Sequence, residues 1–82
     1  MVILAFGEHF QKRFSRIKNN SIKERLIKQI EKLKLNPEIG KPMRFNRKGT
    51  REIYIPPFRL SYVYLKHKNK IIILDLYHKD KQ

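Results

Sequence analysis

The apolar residues in the last third of the chain fall into three short runs that are separated by turn-forming residues. The runs are Arg51–Phe58, Arg59–Leu65 and Ile71–His78. Runs rich in Ile, Tyr, Val and Leu with such boundaries predict β-strands. Pro56-Pro57 should end the first run, because proline donates no backbone hydrogen bond. The polar segment Lys66–Asn69 predicts a hairpin with Asn69 at positive φ. The pattern therefore predicts an antiparallel meander of three strands.

Side chains alternate across a strand, so each predicted strand presents two faces. In the middle strand the bulky face, which should meet the core, carries Phe58, Leu60, Tyr62 and Tyr64. The opposite face is half polar and carries Arg59, Ser61 and Val63. In the last strand one face carries Ile72, Leu74 and Leu76, and the other face carries Ile71, Ile73, Asp75 and Tyr77. We expect one covered and one open sheet face, and the candidates for the open face are Arg59, Asp75 and Tyr77. His78 is expected just past the strand.

The first half of the chain predicts a strand and two amphipathic helices. Val2–Phe6 is short and apolar, and predicts a strand. Glu8–Lys18 predicts a helix, because its apolar residues recur with helical spacing. Ser21 is the predicted N-cap of a second helix, with Glu24 completing a capping box. The stripe of this second helix is Ile22, Leu26, Ile30 and Leu33.

The second helix should end before Asn36-Pro37, since the residue before a proline disfavours helical geometry. Two helices joined this tightly form an antiparallel hairpin, whose apolar stripes can pack on the bulky sheet face. The predicted fold class is α+β, in the order β-α-α-β-β-β, with a helical hairpin on one sheet face and an open basic face. The 82 residues form one predicted domain, residues 1–82.

The chain is strongly basic, with 20 Lys and Arg against 7 Asp and Glu, a net charge of +13. Such a charge opposes compaction, and it favours an acidic partner: nucleic acid, an acidic protein or an anionic membrane. The charges on the helices are typical of a solvated face. Those of the loop before Arg51 flank the sheet face that carries Arg59, which is the electrostatic pattern of a nucleic-acid-binding protein.

The chain contains no cysteine, which suits a reducing cytoplasm. Its apolar N-terminal run is too short for a signal peptide, and no run approaches the ~20 residues that span a bilayer. We therefore expect a cytoplasmic protein with no membrane partner. The histidines at 9, 67 and 78 lack the spacing of metal ligands, so no metal site and no cofactor is expected.

Three residues near the open face could carry chemistry, and each also has a structural interpretation. His78 could act as an acid or base near neutral pH, or be an ordinary polar residue. Arg59 could bind an anion, or cover apolar surface with its stem. Tyr77 could equally be a core or edge aromatic residue. The sequence contains no glycine-rich phosphate loop and no nucleophile elbow.

Several segments together resemble the RelE/ParE toxin superfamily of toxin–antitoxin modules, over nearly the whole chain. They are Asn36-Pro-Glu-Ile-Gly-Lys-Pro42, Arg51-Glu52 and Phe58-Arg-Leu-Ser-Tyr62, in the order strand, helix, helix, sheet. The ending Leu76-Tyr77-His78-Lys79 looks like the YoeB branch of this superfamily. The resemblance implies a metal-independent mRNA endoribonuclease that acts in the ribosomal A site, through attack of the 2′-hydroxyl on the adjacent phosphate.

The resemblance also implies roles for individual residues. Arg59 matches the arginine that stabilises the scissile phosphate, and His78 matches the YoeB-type acid–base histidine. Tyr77 is a possible substitute for the terminal tyrosine, and Lys79 and Lys81 match functional basic residues of the tail. The candidates for RNA binding are Lys41, Arg44, Arg47, Lys48 and Arg51. Met43 occupies the position of the YoeB-like glutamate base, so the general base is not assigned.

The resemblance further implies an acidic, RelB-like antitoxin that forms a hetero-oligomer with this basic domain. Two other functions remain open at this level. The first is inhibition of DNA gyrase, as in the ParE branch, which shares the fold and has no nuclease activity. The second is RNA binding without catalysis. Relaxation of plasmid DNA would indicate the first, and growth arrest would exclude the second.

Overall fold

The fold consists of a sheet with two helices on one face, and the computed structural model describes residues 2–42 and 49–79. The strands are β1 (Ile3–Phe6), β2 (Lys41–Pro42), β3 (Thr50–Ile55), β4 (Phe58–Leu65) and β5 (Lys70–His78). The helices are α1 (Glu8–Ser15) and α2 (Asn20–Leu35), and a short 3₁₀ turn covers Lys66–Lys68. The predicted α+β class and element order are confirmed. The two-residue strand β2 lies within the segment for which the sequence predicted only a loop.

The five strands form one mixed sheet in the order β1-β5-β4-β3-β2. Strands β2 to β5 pair antiparallel, which confirms the predicted meander. Strand β1 instead runs parallel to β5, with Ile3 opposite Lys70. A parallel pair needs a long crossover connection, and the helical hairpin supplies part of it. The hairpin between β4 and β5 ends at Asn69, which has the predicted positive φ, 51°.

The hydrophobic core lies between the helices and one face of the sheet. The stripe of α2 contributes Leu26 and Leu33, and the middle strand β4 contributes Leu60 and Tyr62, all fully buried. These residues confirm the predicted covered face. Burying one face of the sheet under the helices leaves the other face open, as layered α+β domains require.

Strand β5 contains a bulge that changes which of its residues face the core. The register with β4 shifts between Ser61 and Tyr62, so that Leu74 is the extra residue. Before the bulge Ile71 and Ile73 are buried, and after it Leu76 is buried. The strict alternation that placed Ile71 and Ile73 on the open face was therefore wrong. An inserted residue reverses the faces on one side of a bulge, and hydrophobicity alone does not locate it.

The turn between the helices also differs from the prediction. Helix α1 ends at Ser15, three residues before the predicted end. Helix α2 begins at Asn20, and its N-cap is Asn19, whose side-chain oxygen accepts a 3.1 Å hydrogen bond from the N–H of Ile22. Asn19 therefore takes the role predicted for Ser21, because asparagine caps a helix as well as serine does.

Within the described residues, neither helix is long and apolar enough to cross a membrane.

Candidate active site

Arg59 lies on the open face of the sheet, near the start of β4, which is the central strand. The strand register places Tyr54 of β3 on one side of it and Tyr77 of β5 on the other. Directly paired residues of neighbouring strands share a face, so these three side chains point the same way. The prediction that Arg59 and Tyr77 share the open face is confirmed by this register.

The carboxylate of Glu52 joins Arg59 and Tyr77 into one cluster. Its Oε1 accepts a 3.0 Å hydrogen bond from the guanidinium of Arg59, and its Oε2 accepts one from the hydroxyl of Tyr77. Glu52 is only 8% exposed, and it is the one buried charged residue among those described. A buried carboxylate is stable when it is paired and hydrogen-bonded, and both of its oxygens are.

Sequence reasoning did not assign Glu52 to the site, although Arg51-Glu52 was noted as part of the resemblance. The signal that could have found it is the pairing of β3 with β4. Glu52 and Tyr54 are two positions apart on the strand before a proline turn, which places both on the face of Arg59. A glutamate at such a position, beside an arginine on the next strand, predicts an ion pair.

Two cations lie close to the ring of Tyr54, next to this cluster. The guanidinium carbon of Arg59 and the Nζ of Lys79 each lie 5.6 Å from the centroid of its ring. The backbone N–H of Lys79 donates a 3.0 Å hydrogen bond to the carbonyl oxygen of Pro57, which fixes the chain just past β5. Two cations held at one aromatic ring can stabilise a group that becomes more negative as it reacts.

Arg59 keeps donors available for a ligand. Its side chain is 34% exposed, and only its Nη1 donates to Glu52. Its Nε is buried and has no hydrogen-bond partner among the described residues. Because this atom is buried, the donors that a ligand could reach lie on the exposed end of the guanidinium. Arginine donors form a planar fork that matches the oxygens of a phosphate.

His78 lies on the other face of the sheet from Arg59. It is the last residue of β5 rather than a residue beyond it, and it pairs with Phe58, whose ring centroid lies 5.8 Å away in an edge-to-face arrangement. Neighbouring residues of a strand point to opposite faces, so Tyr77 and His78 are separated by the sheet. The structure therefore does not bring His78 together with Arg59.

His78 instead borders a groove of about 400 Å³ on the helix side of the sheet. The other residues that line the groove are Arg13, Arg16, Ile17, Lys18, Asn19, Ile22, Pro57, Phe58, Leu76 and Tyr77. Asp75 pairs with Ser61, which places it on the face of Arg59 as predicted, and its carboxylate forms a 3.2 Å ion pair with Arg13 of α1. The carboxylate of Asp75 is therefore engaged by the helix, and not by Arg59.

The predicted RNA-binding residues separate into three groups. Lys41 is exposed and lies opposite Glu52 in the register of β2 with β3, beside the cluster. Arg51 lies on the helix side, where its guanidinium donates to the carbonyl oxygens of Glu38 and Gly40 at 3.1 and 2.8 Å. Arg44, Arg47, Lys48 and the tail residue Lys81 lie outside the described residues.

Arg51 and Tyr62 hold the segment that leads from α2 into β2. The hydroxyl of Tyr62 donates to the carbonyl oxygen of Pro37 at 2.8 Å and accepts from the N–H of Gly40 at 2.9 Å. A Cβ at Gly40 would lie 2.6 Å from this hydroxyl, so only glycine fits there. Burial raises the pKa of Tyr62, against smaller opposite effects of the Gly40 N–H and the charge of Arg51.

The described residues contain no group of three or more His, Asp or Glu side chains that could hold a metal ion. The open-face cluster consists of the Glu52 carboxylate, two tyrosines and the cations Arg59 and Lys79, and Lys41 lies beside it. Its formal charge is positive, and it lies on a solvent-facing sheet. Such a set can bind a phosphodiester and exchange protons with hydroxyl groups next to it.

The fold is that of bacterial and archaeal toxins of the RelE type. The chain is similar to the toxin in the intact E. coli RelBE toxin–antitoxin complex, with a TM-score of 0.81, 18% identity and coverage of 95% of this chain and 96% of that one. It is similar to RelBE2 of Mycobacterium tuberculosis, with a TM-score of 0.83, 20% identity and coverage of 95% and 98%. It is also similar to a YoeB/ParE toxin from Agrobacterium tumefaciens, with a TM-score of 0.83, 13% identity and coverage of 94% and 98%.

A family model assigns the chain more narrowly. The model of the ParE toxin of the type II toxin–antitoxin system parDE matches residues 4–82, so the chain belongs to this family. It is a toxin of a type II toxin–antitoxin system, within the RelE/ParE superfamily, as its sequence predicted. No curated protein sequence matches the chain.

Proposed function

We propose that this toxin is a metal-independent endoribonuclease that cleaves mRNA in the ribosomal A site and so inhibits translation. The observation that carries the proposal is the convergence of Arg59 and Tyr77 on the buried carboxylate of Glu52, with Lys79 held at the neighbouring ring of Tyr54 on the open sheet face. The net charge of +13 supports a polyanionic substrate.

The reaction is an attack of the 2′-oxygen on the adjacent phosphorus. The bond from phosphorus to the 5′-oxygen breaks, which leaves a 2′,3′-cyclic phosphate and a free 5′-hydroxyl. The pentacoordinate phosphate carries more negative charge than the substrate does. Cations fixed in advance therefore stabilise it more than they stabilise the bound RNA, and this difference accelerates the reaction.

Each side chain of the cluster has a role in this scheme. Arg59 and Lys79 hold the phosphate oxygens. The hydroxyl of Tyr77 takes the proton of the 2′-hydroxyl and passes its own proton to Glu52, to which it is already hydrogen-bonded. The leaving 5′-oxygen takes a proton from the ammonium group of Lys79. Under this proposal the position of the message in the A site aligns the 2′-oxygen with the phosphorus, which so small a site does not do alone.

The toxin's partner under this proposal is an acidic, RelB-like antitoxin. An apolar groove of about 310 Å³ between β1 and the helices supports such a partner, since exposed apolar surface often marks an interaction site. Its rim includes Phe6 and Ile27, which are 44% and 50% exposed. Replacing Ile27 by lysine should weaken the toxin–antitoxin complex at least tenfold and leave RNA cleavage unchanged. Unchanged affinity would remove this groove from the interface.

Inhibition of DNA gyrase is the second candidate function. Two observations favour it: the matching family model is that of ParE, and the charge of Arg59 is balanced by Glu52. The two functions are separated by mapping cuts in a translated message by primer extension and by following the supercoiling of a plasmid. Cuts that need ribosomes support the nuclease. Relaxed plasmid without cuts would replace it with gyrase inhibition, and neither effect from folded protein would leave RNA binding alone.

A further inference from the structure

We infer that Tyr54 is a stacking platform for a nucleobase of the RNA, next to the phosphate that Arg59 binds. The inference rests on the proposed nuclease function and specifies how the substrate is held. Tyr54 is 48% exposed, and among the exposed large apolar side chains of the described residues it is the one that borders Arg59.

The surroundings of Tyr54 distinguish it from a tyrosine that only covers the sheet. Its strand position opposite Arg59 fixes the ring on the open face. Arg59 and Lys79 lie at equal distances of 5.6 Å from the ring centroid. A single-stranded nucleic acid presents a base and a phosphate within a few ångströms of each other. A half-exposed aromatic ring with two cations next to it matches both groups, as in proteins that bind single strands.

The ligand is therefore single-stranded RNA with one base unstacked from its neighbours. Stacking on an aromatic ring tolerates any base, since each has a π-face. Tyr54 should therefore contribute to the affinity for RNA and to the position of the nucleotide, and little to the choice of base. It would fix the nucleotide beside the scissile phosphate and bring that phosphate to the donors of Arg59.

The test measures binding rather than cleavage. Short 2′-O-methylated RNA cannot be cut, because the attacking hydroxyl is blocked, so the unmodified toxin can be titrated with it by fluorescence anisotropy at one fixed low salt concentration. A set of such oligonucleotides carries an abasic site at each position in turn. We expect the wild-type toxin to lose on the order of tenfold in affinity at one abasic position.

The matched variants are Tyr54→Leu, which keeps an apolar side chain under the cations, and Tyr54→Trp, which keeps a stacking surface. Tyr54→Leu should bind the intact RNA about tenfold more weakly and lose nothing further at the sensitive abasic position. Tyr54→Trp should retain the wild-type pattern. Leu35→Ala, at an exposed apolar residue of α2 that has no part in the site, should change neither value.

The same abasic penalty in Tyr54→Leu as in the wild type would overturn the inference, and so would a wild-type toxin that is insensitive to every abasic position. Cleavage is scored separately on unmodified message. A toxin that cuts RNA but shows no Tyr54-dependent stacking keeps the nuclease function and loses the platform. A toxin that stacks RNA without cutting it keeps the platform and loses the nuclease.

Discussion

The guanidinium of Arg59 lies 3.0 Å from the carboxylate of Glu52, so the arginine proposed to bind phosphate is held by a buried acid. Glu52 orients Arg59 and balances its charge in the free protein. Its other oxygen accepts a hydrogen bond from the hydroxyl of Tyr77. Glu52 is therefore the group to which both Arg59 and Tyr77 are bound. Each of these two hydrogen bonds can be removed by a single substitution.

The proton relay from Tyr77 to Glu52 predicts a non-additive pair of substitutions. Tyr77→Phe and Glu52→Gln should each lower cleavage by on the order of 10²-fold, because each interrupts the same proton transfer. The double variant should be no slower than the slower single variant. Rates of ribosome-dependent cleavage measure this, with thermal unfolding as the control for folding. Losses that multiply in the double variant would show that the two residues act independently.

His78 should matter much less to cleavage than Tyr77, because it lies on the opposite face of the sheet from Arg59. His78→Ala is expected to change the cleavage rate by less than about threefold, a change smaller than one positioned acid or base contributes. The pH–rate profile should keep its shape. A loss of 10²-fold or more would restore the role that the YoeB-like ending implies.

The raised pKa of Tyr62 predicts a pH dependence of stability. Below pH 10.0, the ordinary value, folded and unfolded chains both keep the phenol proton. Above it the unfolded chain loses this proton first, so the free energy of unfolding should fall by up to about 1.4 kcal/mol per pH unit until the folded pKa is reached. Urea unfolding at several pH values measures this.

Tyr62→Phe is the matched variant for that measurement. It should cost about 1–3 kcal/mol at pH 7, because the buried carbonyl of Pro37 and N–H of Gly40 lose their partner. It should also lose less stability than the wild type as the pH rises through 10.0, since the titrating phenol is absent. Parallel stability curves for the two proteins above that pH would contradict the assigned cause.

The N-cap of α2 offers a test of the fold in which two neighbouring residues serve as variant and control. Asn19→Ala should lower the free energy of unfolding by about 1 kcal/mol, because the N–H of Ile22 loses its acceptor. Ser21→Ala should change it by less than about 0.5 kcal/mol. Thermal unfolding should separate them by several degrees. A larger effect at Ser21 would support the capping box that the sequence suggested.

The sequence predicted the fold well where periodicity and packing agree. Leu26 and Leu33 on α2, and Leu60 and Tyr62 on β4, lie where a period of 3.6 or 2 places them, and all four are buried. The predicted faces of β5 were wrong, because one extra residue interrupts the alternation of its side chains. The bulge at Leu74 reverses the faces of β5, and no turn-forming residue marks it.

The site was predicted in part, for a similar reason. Arg59, Tyr77 and Lys79 were identified, and the structure brings them together. Glu52 was not assigned, because its role comes from pairing across strands, which the order of residues in one strand does not reveal. His78 was assigned from the resemblance of the chain's ending to YoeB and was expected just past the strand, whereas it is the last residue of β5 and points to the opposite face from Tyr77.

The most direct test of the account is the extent of cleavage at sites mapped in a ribosome-bound message, for wild type, Arg59→Gln and Arg25→Gln. Arg59→Gln keeps a hydrogen-bond donor for Glu52 and removes the charge at the phosphate, and Arg25→Gln removes the same charge from an exposed position on α2. The account predicts on the order of 10²–10³-fold less cleavage for Arg59→Gln and wild-type cleavage for Arg25→Gln. Undiminished cleavage by folded Arg59→Gln would contradict it.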